Sequence, residues 1–305
     1  MTHKCCSNCF TDKTLKIKIN QTGEISRCHY CGNNDSSTLR VNELYPLISP
    51  LLEAILVSYD EDPSGIDIIS ILNTDFKFFN GSTFEQIIKD ALDDKPDLLN
   101  KKFKPFALDT LNEWESFKSE LKHHNRFFPQ TEIYKEAFLE KGRLFEIFTE
   151  VIEQLNFEIT TTDSFYRSRI SDIQLEHKDM GKPPAEKVGI GRANPDGISY
   201  LYIAENIKTA LLEVRPSNGQ NVLVAEFKAP QALNVVNLKN PRKDISFLSL
   251  SLNENFKSIL KLVSLLEEFS KELTLPVLPN RSRLDYIPTQ FITEFFKIFA
   301  LRFIA

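Results

Sequence analysis

The 305-residue sequence predicts an α+β protein whose three consecutive parts differ in residue pattern. All five cysteines lie within the first 31 residues, which indicates a small metal-binding segment. From about residue 40 to residue 156 the apolar residues recur at helical spacing, and from residue 157 short β-like runs alternate with helices. We therefore expect a zinc ribbon at residues 1–38, an α-helical domain at 40–156 and a mixed α/β domain at 157–305.

The metal prediction rests on two Cys-x2-Cys pairs separated by 18 residues. Four thiolates on two tight turns form the closed tetrahedral set that structural zinc prefers, and they leave no coordination position open for catalysis. In a chain without a secretory signal, such clustering favours a metal over disulfides. The predicted zinc ligands are Cys6, Cys9, Cys28 and Cys31. Cys5 is a spare thiol, with Cys5 and Cys9 as a less regular alternative pair.

The segment between the two cysteine pairs predicts a β-hairpin. Lys16-Ile17-Lys18-Ile19 alternates polar and apolar residues, and Gln21-Thr22-Gly23-Glu24 is typical of a turn. His29, inside the second cysteine turn, is expected to be exposed rather than a ligand. The ribbon is expected to be structural or to dock a partner.

Helical periodicity dominates the middle part. Apolar stripes at three-four spacing predict helices over 44–56, 84–92 and 138–155. Pro46 and Pro50 must lie near the start of the first helix or kink it. We assign no catalytic role to the His123-His124 pair, which is expected to lie in a polar loop.

The last part mixes strands and helices. Runs rich in β-branched and aromatic residues predict strands at 198–204, 222–227 and 233–238. Helical spacing predicts a short helix at 207–214, which ends before Pro216, and a longer one at 256–273.

Charge and hydropathy disfavour two classes of partner. Residues 41–160 carry 23 acidic against 12 basic side chains, which disfavours a nucleic-acid surface there. The longest apolar stretch, residues 46–57, is well short of the roughly 20 residues of a membrane-spanning helix. The N-terminus also lacks the apolar run of a secretory signal. We expect a cytoplasmic protein that binds neither membrane nor nucleic acid.

The candidate site lies in the last part of the chain. Gly189 and Gly191 lie in a loop whose backbone can approach a ligand closely and present Arg192 to it. The third glycine of a dinucleotide-binding turn is absent, and no strand and helix frame the loop, which disfavours hydride transfer. Tyr202 follows on a predicted strand, and Glu213 lies on the predicted short helix.

These residue types suit a dinucleotide whose glycosidic bond breaks. Guanidinium groups pair with pyrophosphate oxygens, and a tyrosine ring stacks on a flat base. A carboxylate stabilises the positive charge that grows on the ribose as the base departs. Each residue also has a structural alternative: Arg192 as a surface cation, Tyr202 as a core residue, and Glu213 in an ordinary ion pair with Arg215.

Three stretches resemble the RES family, whose members are toxins of toxin–antitoxin pairs: Gly191-Arg192-Ala193-Asn194-Pro195, Leu201-Tyr202-Ile203-Ala204 and Thr209-Ala210-Leu211-Leu212-Glu213-Val214-Arg215-Pro216. The resemblance implies a fold similar to that of ADP-ribosyltransferases, NAD+ as the substrate and an Xre-type antitoxin as the partner. It implies that Arg192 binds the phosphates, Tyr202 stacks on nicotinamide and Glu213 stabilises the ribosyl cation. Arg167 matches an upstream family arginine, with Arg169 as the less favoured choice.

The N-terminal parts are similar to the extension of a long RES subgroup, in which a zinc-binding segment and a HEPN-like helical domain precede the RES domain. The end of the chain departs from the family pattern. After the stretch 285–291, family members continue through a glycine turn and a strand to a serine, whereas residues 298–305 read Ile-Phe-Ala-Leu-Arg-Phe-Ile-Ala. We therefore expect a RES domain truncated at its C-terminus, without a sheet edge and part of the pocket wall.

Two functions of different classes follow. The first is a RES-type toxin that cleaves NAD+ at the nicotinamide–ribose bond, as a glycohydrolase, phosphorylase or ADP-ribosyltransferase, impaired by the shortened end. The alternative is a non-catalytic, zinc-anchored protein-interaction module that retains an NAD-like pocket.

Overall fold

The cysteine-rich segment forms a three-stranded antiparallel sheet and one helix in the computed structural model, which describes residues 3–105, 109–274 and 283–303. The strand order is β1-β3-β2. The bounds are β1 Lys4–Cys6, α1 Lys13–Thr22, β2 Glu24–Ser26 and β3 Ser36–Arg40.

The predicted hairpin between the cysteine pairs is wrong, because α1 occupies that position. The side chain of Asp12 accepts a hydrogen bond from the N–H of Leu15 at 3.0 Å and so caps the helix. Leu15 and Ile19, four residues apart, are fully buried, whereas Ile17 is 56% exposed. The polar–apolar alternation of this short segment is therefore incidental, and the four-residue spacing determines which side chains enter the core.

The middle part is mainly helical, as predicted. Its elements are α2 Tyr45–Ser58, β4 Glu61–Asp67, α3 Ile68–Thr74, α4 Phe84–Ala91, α5 Pro96–Asn100, β5 Lys102–Phe103, α6 Asp109–His123 and α7 Phe145–Glu153, with a π-helical turn at Tyr134–Phe138. Pro46 lies in the first turn of α2 and Pro50 lies inside it. The sequence did not predict the antiparallel pair β4–β5, and the third helix begins at Phe145 rather than at residue 138.

The last part confirms two of its three predicted strands and both predicted helices. Its elements are β6 Asn156–Ile159, β7 Ser164–Ile170, α8 His177–Met180, α9 Ile207–Val214, β8 Val222–Lys228, β9 Leu233–Val236, α10 Pro241–Asp244, α11 Phe247–Leu250, α12 Phe256–Thr274 and α13 Ile287–Phe303. β6 pairs with β9 and β7 pairs with β8, both antiparallel.

The predicted strand at 198–204 is wrong. Within this run, which the structure describes in full, only Ala204 pairs with a strand. It forms an isolated bridge with Tyr166, and the two residues exchange hydrogen bonds of 2.7 and 2.8 Å. Leu201 and Ile203 are about two-fifths exposed, so the apolar side chains that suggested a half-buried strand have no sheet to cover.

The contacts divide the chain into two compact units, each made of discontinuous segments. The first comprises Met1–Ser116, Glu132–Leu155 and Asn237–Ser270, and the second comprises Phe117–Thr131, Asn156–Val236 and Lys271–Ala305. In the first unit the ring of Phe76 lies 4.9 Å from that of Phe247 and 5.8 Å from that of Phe256, so residues from 237–270 share its aromatic core. This division does not follow the three consecutive segments, whose identity as separate domains stays a prediction.

No helix in the described part of the chain has the length and hydropathy that a bilayer span requires. Residues 304 and 305 of the apolar tail lie outside the described residues.

Candidate functional site

A cavity of about 630 Å³ in the second unit brings the predicted site residues together. Arg167 comes from β7, Arg192 from the loop after α8, Tyr202 from the extended segment before α9, and Glu213 from α9 itself. Its volume lies in the range of small-molecule and cofactor sites. The four side chains predicted to bind or cleave a dinucleotide therefore line one cavity.

The loop that carries Arg192 is braced from α13. Gln290 donates hydrogen bonds from Nε2 to the main-chain oxygens of Gly191 at 2.7 Å and Asn194 at 3.0 Å. The hydroxyl of Thr289 donates to the main-chain oxygen of Arg192 at 2.7 Å. Since Thr289 and Gln290 are both buried, these bonds fix the backbone path of the loop.

Asn194 organises the inside of the same loop. Its side chain is 3% exposed and donates from Nδ2 to the main-chain oxygens of Gly189 and Pro195, both at 3.0 Å. Its Oδ1 accepts a hydrogen bond from the hydroxyl of Tyr202 at 2.7 Å. One amide side chain therefore joins the backbone of the loop to the hydroxyl of Tyr202.

Tyr202 presents its ring to the cavity while its hydroxyl is held by the loop. The side chain is 48% exposed, and the hydroxyl also accepts a hydrogen bond from the N–H of Ala193 at 3.3 Å. Partial desolvation raises the pKa of Tyr202 above its ordinary value, so the hydroxyl stays protonated at neutral pH and keeps donating to Asn194. A ring held in this way is suited to stacking on a planar base.

Arg192 is anchored at one nitrogen. Its Nη1 donates to the main-chain oxygens of Glu272 at 2.7 Å and Leu273 at 3.2 Å, at the C-terminal end of α12. The negative end of a helix dipole favours a cation at this position. The guanidinium also lies 5.9 Å from the centre of the Tyr286 ring. The remaining N–H groups of the guanidinium are the ones suited to an anionic ligand.

Arg167 and Arg169 converge on one carbonyl oxygen. Arg167 donates from Nη1 to Gly181 at 2.7 Å, and Arg169 donates from Nη2 to the same oxygen at 3.1 Å. Burial and the neighbouring charge of Arg169 lower the pKa of the Arg167 guanidinium. Two like charges on a neutral acceptor create a positive potential beside the cavity, and Arg167 is the one of the pair that lines it.

Glu213 lies in the last turn of α9, and its side chain is exposed on the cavity side. The side chain of Asn206 caps this helix by accepting from the N–H of Thr209 at 2.9 Å. Among the described residues, the Glu213 carboxylate has no hydrogen-bond or ion-pair partner, so the ordinary ion pair with Arg215 is not formed. The carboxylate is therefore available to a ligand.

Sequence reasoning missed the residues that hold the site. Thr289 and Gln290 stand in the stretch 285–291 and Asn194 stands in the loop motif, but neither pattern indicates that these side chains bind the loop. The available signal was their residue type, since Thr, Asn and Gln side chains are suited to binding main-chain groups of a loop.

The four predicted zinc ligands also lie together, in the first unit. Cys6 Sγ lies 3.7 Å from Cys9 Sγ and 3.4 Å from Cys31 Sγ, and Cys9 Sγ lies 3.6 Å from Cys28 Sγ. All four sulfurs are within 4.8 Å of one another. A tetrahedral ion with bonds of about 2.3 Å to sulfur needs sulfur–sulfur edges of about 3.8 Å, so the cluster is of a size to hold one metal ion.

The surroundings of this cluster favour the thiolate form of one of the four cysteines, Cys28. Burial opposes ionisation of Cys28, but hydrogen bonds from the N–H groups of Cys31 and Tyr30 lower its pKa to about 7. Gly32, with a φ of 76°, closes the second cysteine turn in the left-handed conformation that favours glycine. His29 is exposed, as predicted, and its Nδ1 accepts from the N–H of Lys4 at 3.0 Å.

Cys5 is separate from the four-sulfur cluster. It is fully buried, and its thiol donates to the main-chain oxygen of Leu39 at 3.8 Å. The cluster therefore uses the regular Cys-x2-Cys pair rather than the alternative pair of Cys5 and Cys9.

Comparison with known proteins bears on the cavity in the second unit. Residues 164–297 match the RES domain. RES domains are associated with NAD+-cleaving toxins that are paired with antitoxins. The match includes every residue of the cavity lining, from Tyr166 to Thr274. Neither the curated proteins nor the solved structures compared with the chain include a significant match.

Proposed function

We propose that the RES domain of this chain cleaves the nicotinamide–ribose bond of NAD+. The observation that carries the proposal is the single cavity lined by Arg167, Arg192, Tyr202 and Glu213, which come from four separate segments. Cations, an aromatic ring and an unpartnered carboxylate are the groups that this reaction requires.

Each group has a part in binding or in the bond-breaking step. Arg192 and Arg167 pair with the pyrophosphate oxygens, since a guanidinium presents several N–H groups to such oxygens. The Tyr202 ring stacks on the nicotinamide. Glu213 stabilises the positive charge that develops on the ribose as the base departs.

The bond changes balance without a redox partner. The bond between ribose C1′ and the nicotinamide nitrogen breaks, and its electron pair leaves with nicotinamide, which becomes neutral. An oxygen nucleophile from water, phosphate or a protein then forms the new bond to C1′, and a water or hydroxyl nucleophile releases a proton. The choice among these acceptors separates a glycohydrolase, a phosphorylase and an ADP-ribosyltransferase.

For the first unit, we propose that Cys6, Cys9, Cys28 and Cys31 hold a structural zinc ion, because four thiolates form a closed set. One zinc per chain is expected by metal analysis of the purified protein. Cys9→Ser should lose the metal, whereas Cys5→Ser is the matched control and should retain it. Equal metal content in Cys9→Ser and the unaltered chain would refute this site.

The remaining expectations from the sequence stay predictions. They are an Xre-type antitoxin as partner, a fold similar to ADP-ribosyltransferases, a HEPN-like identity for the helical part and a cytoplasmic location.

The deciding experiment follows nicotinamide release from NAD+ by the full chain. Glu213→Gln keeps the size of the side chain but removes its charge, and we expect it to lower the rate about 100-fold or more. Glu186→Gln is the matched control, because Glu186 is exposed and lies outside the cavity lining, and it should leave the rate unchanged. Binding of NAD+ without any nicotinamide release would instead support the non-catalytic interaction module.

A further inference from the structure

Another cavity, of about 290 Å³, lies within the first unit and carries an excess of positive charge. Its lining contains Lys77, Arg242 and Lys243 together with one carboxylate, that of Glu267. Arg242 neutralises this carboxylate, because its Nε and Nη2 donate to Oε2 at 2.8 and 2.6 Å. Lys77 and Lys243 are exposed, and neither ammonium group has a hydrogen-bond or ion-pair partner among the described residues. Two uncompensated cations therefore border one concave surface.

The backbone that carries Lys77 is held by hydrogen bonds on both sides of the residue. Thr11 donates from its hydroxyl to the main-chain oxygen of Lys77, and from its N–H to that of Phe78 at 3.0 Å. Before Lys77, Nη1 of Arg242 donates to the main-chain oxygen of Asp75 at 2.6 Å. These bonds fix the path of the turn, so the backbone at Lys77 has little freedom to relax.

Lys77 is held in a strained backbone conformation. Its φ of 48° lies in the left-handed region, which disfavours residues with a Cβ and favours glycine. Strained residues of this kind cluster at binding and catalytic sites, where the surrounding structure holds them in place. A lysine rather than a glycine at this position of a cationic cavity therefore points to a use for its ammonium group.

From these observations we infer that this cavity binds the phosphate group of a small ligand, either free phosphate or a phosphate monoester. A phosphate monoester carries close to two negative charges at neutral pH, which matches the two uncompensated ammonium groups. Lys77 and Lys243 bind its oxygens as point charges, which needs no fixed planar geometry. All residues of the lining belong to the first unit, so the inference does not rest on the proposed reaction.

The test measures binding of two probes to the full chain by isothermal titration calorimetry. The probes are inorganic phosphate and ribose 5-phosphate, and the tighter of the two shows whether the ligand is the free ion or an ester. Lys77→Gln and Lys243→Gln should each weaken binding of that probe about 10-fold or more, the effect of one lost hydrogen bond to a charged group. Lys257→Gln is the matched control, because Lys257 is exposed in the same unit but lies outside the lining, and it should leave binding unchanged.

A second substitution at Lys77 tests the meaning of the strain. Lys77→Gly removes the ammonium group and allows a φ of 48° without steric conflict. In phosphate-free buffer this variant should raise the melting temperature above that of the unaltered chain. It should nevertheless weaken phosphate binding as much as Lys77→Gln does. This combination of higher stability and weaker binding is not expected of a residue whose role is only structural.

Five results would overturn the inference. The first three are no binding of either probe at millimolar concentration, unchanged binding in both Lys77→Gln and Lys243→Gln, and equal weakening in Lys257→Gln. The fourth is a lowered melting temperature in Lys77→Gly, because Lys77 would then serve the stability of the turn. The fifth is an RNA oligonucleotide that binds more tightly than either probe and depends on the same two lysines, because the ligand would then be a nucleic-acid backbone.

Discussion

Replacing Gly191 with alanine tests how closely the loop that presents Arg192 packs against its neighbours. A Cβ at this position would lie 2.4 Å from Oδ1 of Asn194 and 2.9 Å from the hydroxyl of Tyr202. Ordinary contacts of a Cβ begin at about 3.4 Å. One or both side chains must therefore move by about 0.5–1 Å, and the 2.7 Å hydrogen bond between them is strained or lost.

The expected cost follows from this crowding. Overpacking of this kind lowers the free energy of unfolding by about 1–3 kcal/mol. In a unit of this size each kcal/mol lowers the melting temperature by about 3–5 °C. Because a displacement near 1 Å is enough to lower a catalytic rate about 100-fold, nicotinamide release should fall by that order. Differential scanning calorimetry and the NAD+ assay measure the two effects.

Gly189→Ala is the matched control. A Cβ on Gly189 meets no heavy atom within 4 Å, although both glycines belong to the same loop. We expect this variant to match the unaltered chain in stability and in NAD+ cleavage. Equal behaviour of the two alanine variants would show that the close approach at Gly191 does not position Tyr202, and the reasoning would fail.

Three further predictions concern what supports the two units. Gln290→Met removes the donor to Gly191 and Asn194 and should lower the free energy of unfolding by about 1–3 kcal/mol, as measured by urea titration; no change would show that α13 does not brace the loop. Chelation of the metal should lower the melting temperature of the unaltered chain but not that of Cys9→Ser, and a shift in both would exclude the cluster as its cause. Although burial opposes it, hydrogen bonds from the N–H groups of Gln130 and Thr131 lower the pKa of Glu120 below its ordinary 4.5. A lowered pKa stabilises the folded state above pH 4.5, and the effect is lost as pH falls through the folded-state pKa, so Glu120→Gln should flatten the acid limb of stability against pH.

Local sequence patterns correctly predicted those elements in which the residue pattern and the residues at the two ends indicate the same structure. The helix at 207–214 has the predicted bounds, because a cap residue precedes it and Pro216 follows it. Patterns failed where a short run fitted two structures. Lys16 to Ile19 alternates like a strand, yet the Asp12 cap and buried Leu15 make the segment a helix. The run at 198–204 has β-like residues but no neighbouring strand to pair with beyond Ala204.

The chemistry of the candidate site was easier to predict than its support, for a physical reason. The residue type of Arg192 or Glu213 alone shows which chemistry its side chain can perform, and a sequence motif gives that residue type directly. The groups that hold Arg192 are separated from it by 80 residues or more along the chain. Two of them are main-chain oxygens, which have no side-chain signature.

The same contacts decide how conservative a change at Arg192 would be. One guanidinium nitrogen donates to both Glu272 and Leu273 while the rest of the group remains for a ligand. A lysine has a single nitrogen, so the ammonium that satisfies the end of α12 would no longer be free to reach an anion in the cavity. The positive charge of Arg192 is thus only part of its role. Its several separated N–H groups allow one side chain to join the helix end to the ligand.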